Sequence, residues 1–475
     1  MNSIGQHPEG WDKHFVLTAD IDMAGYGGTR YSVIGNSAQR FTGSFDGGAH
    51  VISNFTYSTT ESVKYVGLFG QLGPGAEVRN LGLENVGIDV GAGISVAAMV
   101  GFNYRGTILN CYVTGSVHAG ANSMNIGSLV GLNNRGSIVA CGATCDVHGG
   151  GHSSAHGALV GYNSSGDILD CYATGPVSGG DESRAYGGLV GYHAAGHITD
   201  CYATGTIAGG IDSANLGGLV GYSEAGSIRR CQARGGVSGT SDAGGLVGYK
   251  NDGTISMCCA MGEMHGDTRL GGLVGRNDVG SIVNCYAVGN IRGVDAVGGL
   301  LGRNHKGSVS TCYASGSICG SSRCGGLVGN EDRGSYLGCF WDSDTNPGLT
   351  GIGDVVPDPC GVTGRTTAQM QTQGNFTAQG WDFLGEKGNG EAEVWRLCMD
   401  GVYYPSLSCQ CLAGDLVCPD GVGFDDLEYF AVYWLYENCH ETPECSRADL
   451  NKDGKVSLQD LARWADQWRL NCANP

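Results

Sequence analysis

Residues 187–210 read GGLVGYHAAGHITDCYATGTIAGG, and the chain repeats this stretch with local changes along most of its length. The last glycine of the G-[GSA]-L-V-G element, or a close variant of it, stands at Gly101, Gly131, Gly161, Gly191, Gly221, Gly248, Gly275, Gly302 and Gly329. The spacing is 30 residues four times and then 27 four times. Seven residues past each of these glycines lies Ile, from Ile108 to Ile282, replaced by Val309 and Tyr336 in the last two units. Ten residues past lies Cys in all nine: Cys111, Cys141, Cys171, Cys201, Cys231, Cys258, Cys285, Cys312 and Cys339. Each unit holds three short β-like runs, L-V, I-x-x-C-Y-A and x-V-x, ended by glycine. No run is long enough for an ordinary helix. Such a unit cannot bury its apolar side alone, whereas stacked copies can. The predicted fold is therefore all-β, a β-solenoid of 27–30-residue coils.

The loss of three residues falls in the variable segment after x-V-x-G, which predicts a surface turn there. One spacing resists a simple strand. Ile and Cys are three apart, so a regular strand would point them to opposite faces. The pattern requires a bend between them or a second apolar layer.

Composition agrees with tight turns between short strands. The 475 residues include 86 Gly against only 10 Pro, and 41% are hydrophobic, too many for a disordered chain. The net charge of −19 argues against nucleic acid and anionic membrane surfaces as partners. No apolar run reaches the roughly 18 residues of a membrane-spanning helix. Met1 is followed by NSIGQHPEGW, without the apolar core of a signal peptide, and then directly by strand-like sequence. An N-terminal portion is expected to be missing, and an exported, secreted or cell-surface home is expected.

The G-L-V-G element with its downstream I-x-x-C-Y-A-T-G resembles the GLUG motif of bacterial surface and secreted proteins. FVLTADIDM (15–23), FTGSFDGGAHVISN (41–54) and YVGLFG (65–70) resemble the usual N-terminal coils of similar proteins. CFWDSDT (339–345) and TTAQMQTQGNFTAQGWDF (366–383) resemble the segment that closes such arrays. The resemblance implies four parts: N-terminal coils at 1–90, GLUG coils at 91–340, a closing segment at 341–410 and a separate module at 411–475. It also implies kinship with adhesins and with non-catalytic regions of IgA-specific metallopeptidases. The H-E-x-x-H of those peptidases is absent, since His440-Glu441 is followed by Thr442, Pro443 and Glu444.

From about residue 411 the repeats stop and helix-like runs appear, FDDLEYFAVYWL (424–435) and LQDLARWADQWRL (458–470). Between them, ADLNKDGKVSLQD has EF-hand spacing. Asp449, Asn451, Asp453, Ser457 and Asp460 take the first, third, fifth, ninth and twelfth places, and Lys455 the seventh, with its backbone carbonyl. Calcium (Ca2+) prefers this set of hard oxygens, and Gly454 permits the sharp turn. The arrangement resembles a dockerin, which implies a small all-α module and a cohesin-like or other docking partner. An upstream half-loop puts Asp415 and Asp426 at the first and twelfth places, but Val417 and Pro419 fall where ligands belong, so it is degenerate.

The repeat Cys column reads as a buried ladder of small apolar groups, so Cys201→Ser would bury a hydroxyl without an evident partner. Cys319 and Cys324 flank one turn and could pair. Six Cys between Cys409 and Cys472 suggest disulfide staples of open connectivity. A Tyr column after Cys (Tyr112, Tyr172, Tyr202, Tyr286, Tyr313) reads as structural stacking, with an aromatic binding stripe as the alternative. A Thr column (Thr114, Thr144, Thr174, Thr204) reads as strand propensity. The turns are short, His appears at unrelated repeat positions (His118, His148, His152, His156, His193, His197), and no acid pair recurs in neighbouring coils. The expected function is extracellular, non-catalytic binding, adhesion or scaffolding. A glycan or surface protein would be the ligand. A polysaccharide-degrading β-helix enzyme is the alternative.

Overall fold

In the computed structural model, residues 1–385, 394–397, 401–408, 431 and 455–457 are described. The chain divides into two compact units, the first being Met1–Thr367 and the second beginning at Ala368. The first unit is an all-parallel β-solenoid. One face is a ladder of twelve strands, one per coil, so about 11 turns separate the first from the last. In a 30-residue coil the chain makes five short strands, such as Val160–Asn163, Asp167–Leu169, Tyr172–Ala173, Val177–Gly179 and Arg184–Gly187. Repeat positions pair with themselves: Ile138 with Ile168, Ile168 with Ile198, and Ile228 with Ile255.

The change of coil length occurs where the sequence places it. In the longer coils a turn separates Ile207–Ala208 from Ala214–Gly217. In the first two of the shorter coils a single strand runs through, Val237–Gly244 and then Met264–Gly271, and the former pairs with both Ile207–Ala208 and Ala214–Gly217. Losing the turn leaves every ladder in register.

The spacing of Ile and Cys is also resolved. The residue just before Cys lies in the left-handed region in eight coils, at Asn110, Ala140, Asp170, Asp200, Arg230, Met257, Asn284 and Thr311, with φ between 48° and 57°. This bend turns Ile and Cys to the same side, and both are buried. The bend also takes backbone groups out of the ladder, and the thiols meet them. The Cys171 N–H donates to Cys201 Sγ at 3.4 Å, and Cys201 Sγ in turn donates to the Thr199 carbonyl at 3.2 Å. The Cys column is therefore a hydrogen-bonding ladder as well as an apolar one. A Ser hydroxyl at 201 finds partners, contrary to the sequence expectation.

Cys201→Ser should cost less than about 1 kcal/mol. Cys201→Val, which leaves the buried Cys171 N–H without an acceptor, should cost about 1–3 kcal/mol. Urea denaturation of the two variants checks the order. Burial pushes the thiols of Cys201, Cys231, Cys258 and Cys285 well above their ordinary pKa, so they should label slowly in the native protein. All the described repeat Cys are free, and Cys319 and Cys324 are not joined to each other.

A second interior ladder runs two residues past the repeat glycine. Asn103 Nδ2 donates to Asn133 Oδ1, and Asn133 to Asn163, both at 2.9 Å. Asn277 donates to Asn304 at 2.8 Å. Each of these amides is fully buried, and stacked amides of this kind satisfy one another from coil to coil. His193, Ser223 and Lys250 interrupt the row. Burial pushes the imidazole of His193 down to about 4 and that of His156, equally buried, to about 3, so both are neutral. The Thr column lies outside strands at Thr144, Thr174 and Thr204, so strand propensity is not what places it.

The first coils are filled by aromatic rings instead of amides, including Phe41, Phe45 and Phe69 at centroid distances of 5.3–5.5 Å. In the second unit, Trp381 packs on Trp395 at 4.4 Å and on Phe376 at 4.8 Å, beside a two-stranded antiparallel ribbon of Trp395–Arg396 and Ser406–Leu407.

Candidate functional site

Of the expected calcium ligands, Asp415, Asp426, Asp449, Asn451, Asp453 and Asp460 lie outside the described residues, as do both expected helices apart from Ala431. Lys455 and Ser457 are described. The Lys455 side chain is exposed and Ser457 half-buried, on either side of the buried Val456.

The Tyr column after Cys is a stack. Tyr172 and Tyr202 lie at 5.4 Å with planes 11° apart, and Tyr286 and Tyr313 at 5.1 Å and 3°. The latter pair is buried. Sequence reasoning missed a second column, one residue past the repeat glycine: Tyr162, Tyr192, Tyr222 and Tyr249. Its rings follow one another at 4.7, 4.6 and 4.8 Å, and the Arg276 guanidinium sits over Tyr249 at 4.5 Å. Tyr192 donates to Glu224 at 2.9 Å and Tyr249 to Asp278 at 2.6 Å. The rings are thus engaged with one another, and the hydroxyls of Tyr192 and Tyr249 with neighbouring acids.

Two readings of the surface are corrected. His118 and His148 hold equivalent positions and face each other in register, with ring centroids 5.9 Å apart. Asp170 and Asp200 are likewise one acidic position in neighbouring coils. Burial and the Asp200 charge raise the Asp170 carboxyl above its ordinary value. Asp200, however, is held by Arg230 through two hydrogen bonds of 2.6 and 2.5 Å. Among the described residues no group of three His, Cys, Asp or Glu is arranged to hold a metal.

A different kind of surface lies at the N-terminal end, where three coils contribute. Tyr65 stacks on Phe102 at 5.5 Å. The Arg40 guanidinium covers Phe102 at 5.4 Å and Tyr104 at 4.7 Å, and Arg105 approaches Tyr104 at 5.2 Å. Beside them is a pocket of 250 Å³, lined by Asn36, Ser37, Tyr57, Lys64, Tyr65 and Gln71 among others. Gln71 is 2% exposed. Its Nε2 donates to Ser37 Oγ at 2.8 Å, and its Oε1 accepts from Arg40 Nε at 3.3 Å. Phe102 and Gln71 hold the place of the second tyrosine column, one residue past the glycine, but Arg40 and Lys64 recur in no other coil, so no periodic signal could have grouped the cluster.

Comparison with known proteins bears on the coils. The coils carry the GLUG motif. Its family profile matches residues 182–208, 266–292 and 293–318. A protein of Evansella cellulosilytica named "Putative Gly-rich membrane protein" is 41% identical over 95 residues, covering 19% of this chain and 11% of that protein. Halomucin of Haloquadratum walsbyi is 33% identical over 110 residues, 21% of this chain and 1% of its own length. The chain thus spans a small part of each relative. A solved Bacteroides ovatus structure, named as that of "a putative immunoglobulin A1 protease", covers 84% of this chain and 86% of its own. Its identity is 18% and its TM-score 0.30, a likeness that carries no argument. No described helix is long and apolar enough to cross a membrane, which says nothing about strands.

Proposed function

We propose that this chain is an exported, non-catalytic binding or scaffold protein of the cell surface. Its solenoid would present side chains to a ligand, and residues 411–475 would dock it to a cohesin-like partner when calcium is bound. The observation that carries this reading is how the outward rows are spent. The tyrosines stack on one another, and Asp200, Glu224 and Asp278 are each committed to a neighbouring side chain. Groups so occupied support a rigid display surface better than acid–base chemistry. The names of the two relatives, "Putative Gly-rich membrane protein" and "Halomucin", agree with a surface location.

The docking half of the proposal is tested with the full chain by capture and calorimetry, with calcium and with chelator. Wild type should bind at least one calcium, and Asp449→Ala and Asp453→Ala should each weaken binding at least tenfold. Unchanged affinity in both variants overturns the loop. The enzyme alternative rests on the Asp170 and Asp200 pair. Polysaccharide or peptide turnover that disappears in Asp170→Asn would favour it over the binding reading.

A further inference from the structure

The N-terminal cluster departs from the rest of the molecule in charge. The sequence has 46 acids against 27 basic residues. Elsewhere in the solenoid seven arginines pair with neighbouring carboxylates, among them Arg79 with Asp46 and Glu77, Arg230 with Asp200, Arg269 with Asp242, and Arg276 with Asp278. Among the described residues, Arg40, Lys64 and Arg105 have no carboxylate within salt-bridge distance. Three unneutralised cations thus gather on one aromatic surface, in a protein with an excess of acids. Arg40 is fixed at one edge by Gln71, itself buried and held by Ser37, while its terminal nitrogens have no partner among the described residues.

We propose that this cluster and its pocket bind an anionic residue of a polysaccharide, one bearing a carboxylate or a sulfate ester. The inference rests on the binding function proposed above and names its ligand class. The pocket combines amides and a hydroxyl (Asn36, Gln71, Ser37), an ammonium (Lys64) and aromatic walls (Tyr57, Tyr65). Amides and hydroxyls match sugar hydroxyls, a ring edge or face matches the apolar face of a pyranose, and the cations match the acid. At 250 Å³ the pocket lies below the usual range of about 300–1,000 Å³ for larger ligands, which favours one sugar unit over a nucleotide. Arg40, Tyr65 and Phe102 come from successive coils, and stacked coils are about 4.8 Å apart. The line from the pocket to Arg105 therefore runs along the solenoid axis, as a linear polymer would.

The test is calorimetry with the full chain against polygalacturonate, dextran sulfate, neutral dextran and polyglutamate, with a broad glycan array alongside. Wild type should bind polygalacturonate or dextran sulfate and not neutral dextran, and those two arms separate the carboxylate from the sulfate. Arg40→Gln and Lys64→Gln should each weaken binding at least fivefold, and together at least thirtyfold. Arg303→Gln, far along the solenoid, should leave it unchanged. Unaltered thermal melting shows that the variants fold, and Arg40→Lys, which keeps the charge, should retain most of the affinity. Equal binding of polyglutamate would overturn the assignment to a sugar. Glycan binding that survives both substitutions would overturn this site while leaving the binding function standing. No binding to any glycan on the array would overturn the glycan ligand altogether.

Discussion

Gly221→Ala should destabilise the solenoid by about 3–5 kcal/mol, although it adds one methyl group. A Cβ at 221 would lie 2.5 Å from Ala185 C and Tyr186 N and 2.7 Å from Gly191 O. All three are backbone atoms of coils already fixed by parallel pairing, so none can yield without breaking a ladder. The equivalent atom at Gly191, Gly248, Gly275 and Gly302 meets backbone just as closely, at 2.4–2.6 Å. The chain therefore returns to glycine here in every coil. Gly236→Ala, where the nearest atom is 3.5 Å away, is the control and should change stability by less than about 0.5 kcal/mol. Urea denaturation followed by circular dichroism checks both. Equal midpoints would show that the coil path can widen locally. Coils pair with their nearest neighbours, so the damage should first appear as loss of the coils around residue 221.

The second large effect is a gain. Lys250 takes the place that Asn holds at 103, 133, 163, 277 and 304, and it is 1% exposed. Its Nζ reaches Asn277 Oδ1 at 3.2 Å and the Val279 carbonyl at 2.8 Å, with Asp252 as the nearby charge. Burial lowers its pKa from 10.5 to about 8. A shift of that size corresponds to about 3 kcal/mol against folding while the amine is charged. Lys250→Asn should restore the amide row, donating to Asn277 as Asn133 does to Asn163. After the loss of methylene packing, the variant should be about 1–2 kcal/mol more stable at pH 7. The sign of the pH effect follows from the lowered value. Between pH 8 and 10.5 the unfolded chain still holds the proton that folded Lys250 has shed, so this group's penalty fades as pH rises. The advantage of the variant should therefore shrink across that window. A constant advantage from pH 7 to 10 would mean that the gain comes from packing instead.

The residues that were legible in the sequence are those whose side chains are identical from coil to coil. Gly, Ile and Cys announce the stack because each meets its own copy. The bend before Cys was not legible, since Asn, Ala, Asp, Arg, Met and Thr all serve there. What that position requires is a backbone angle, not a side chain. The amide ladder was visible as N in GLVGYN, but a polar residue beside a turn reads as surface, and His193, Ser223 and Lys250 break the row. The N-terminal cluster was invisible for the opposite reason. Arg40, Lys64, Tyr65, Gln71, Phe102 and Tyr104 meet only because coils of unequal sequence stack. The calcium loop at 449–460 was read from spacing alone, and most of it lies outside the described residues.

The register shared by long and short coils gives the solenoid a modular length. Removing Gly221–Val247 would join Val220 to Gly248 and rebuild the same GGLVG junction. Tyr192 would then face Tyr249, Ile198 would face Ile255, and Cys201 would face Cys258, each pair matching the contacts that now link adjacent coils. Recombination between repeats can therefore lengthen or shorten the molecule by one whole coil, about 4.8 Å at a time, without any new side-chain solution. The distance between whatever binds at one end and whatever is tethered at the other can be adjusted in the gene by copy number alone.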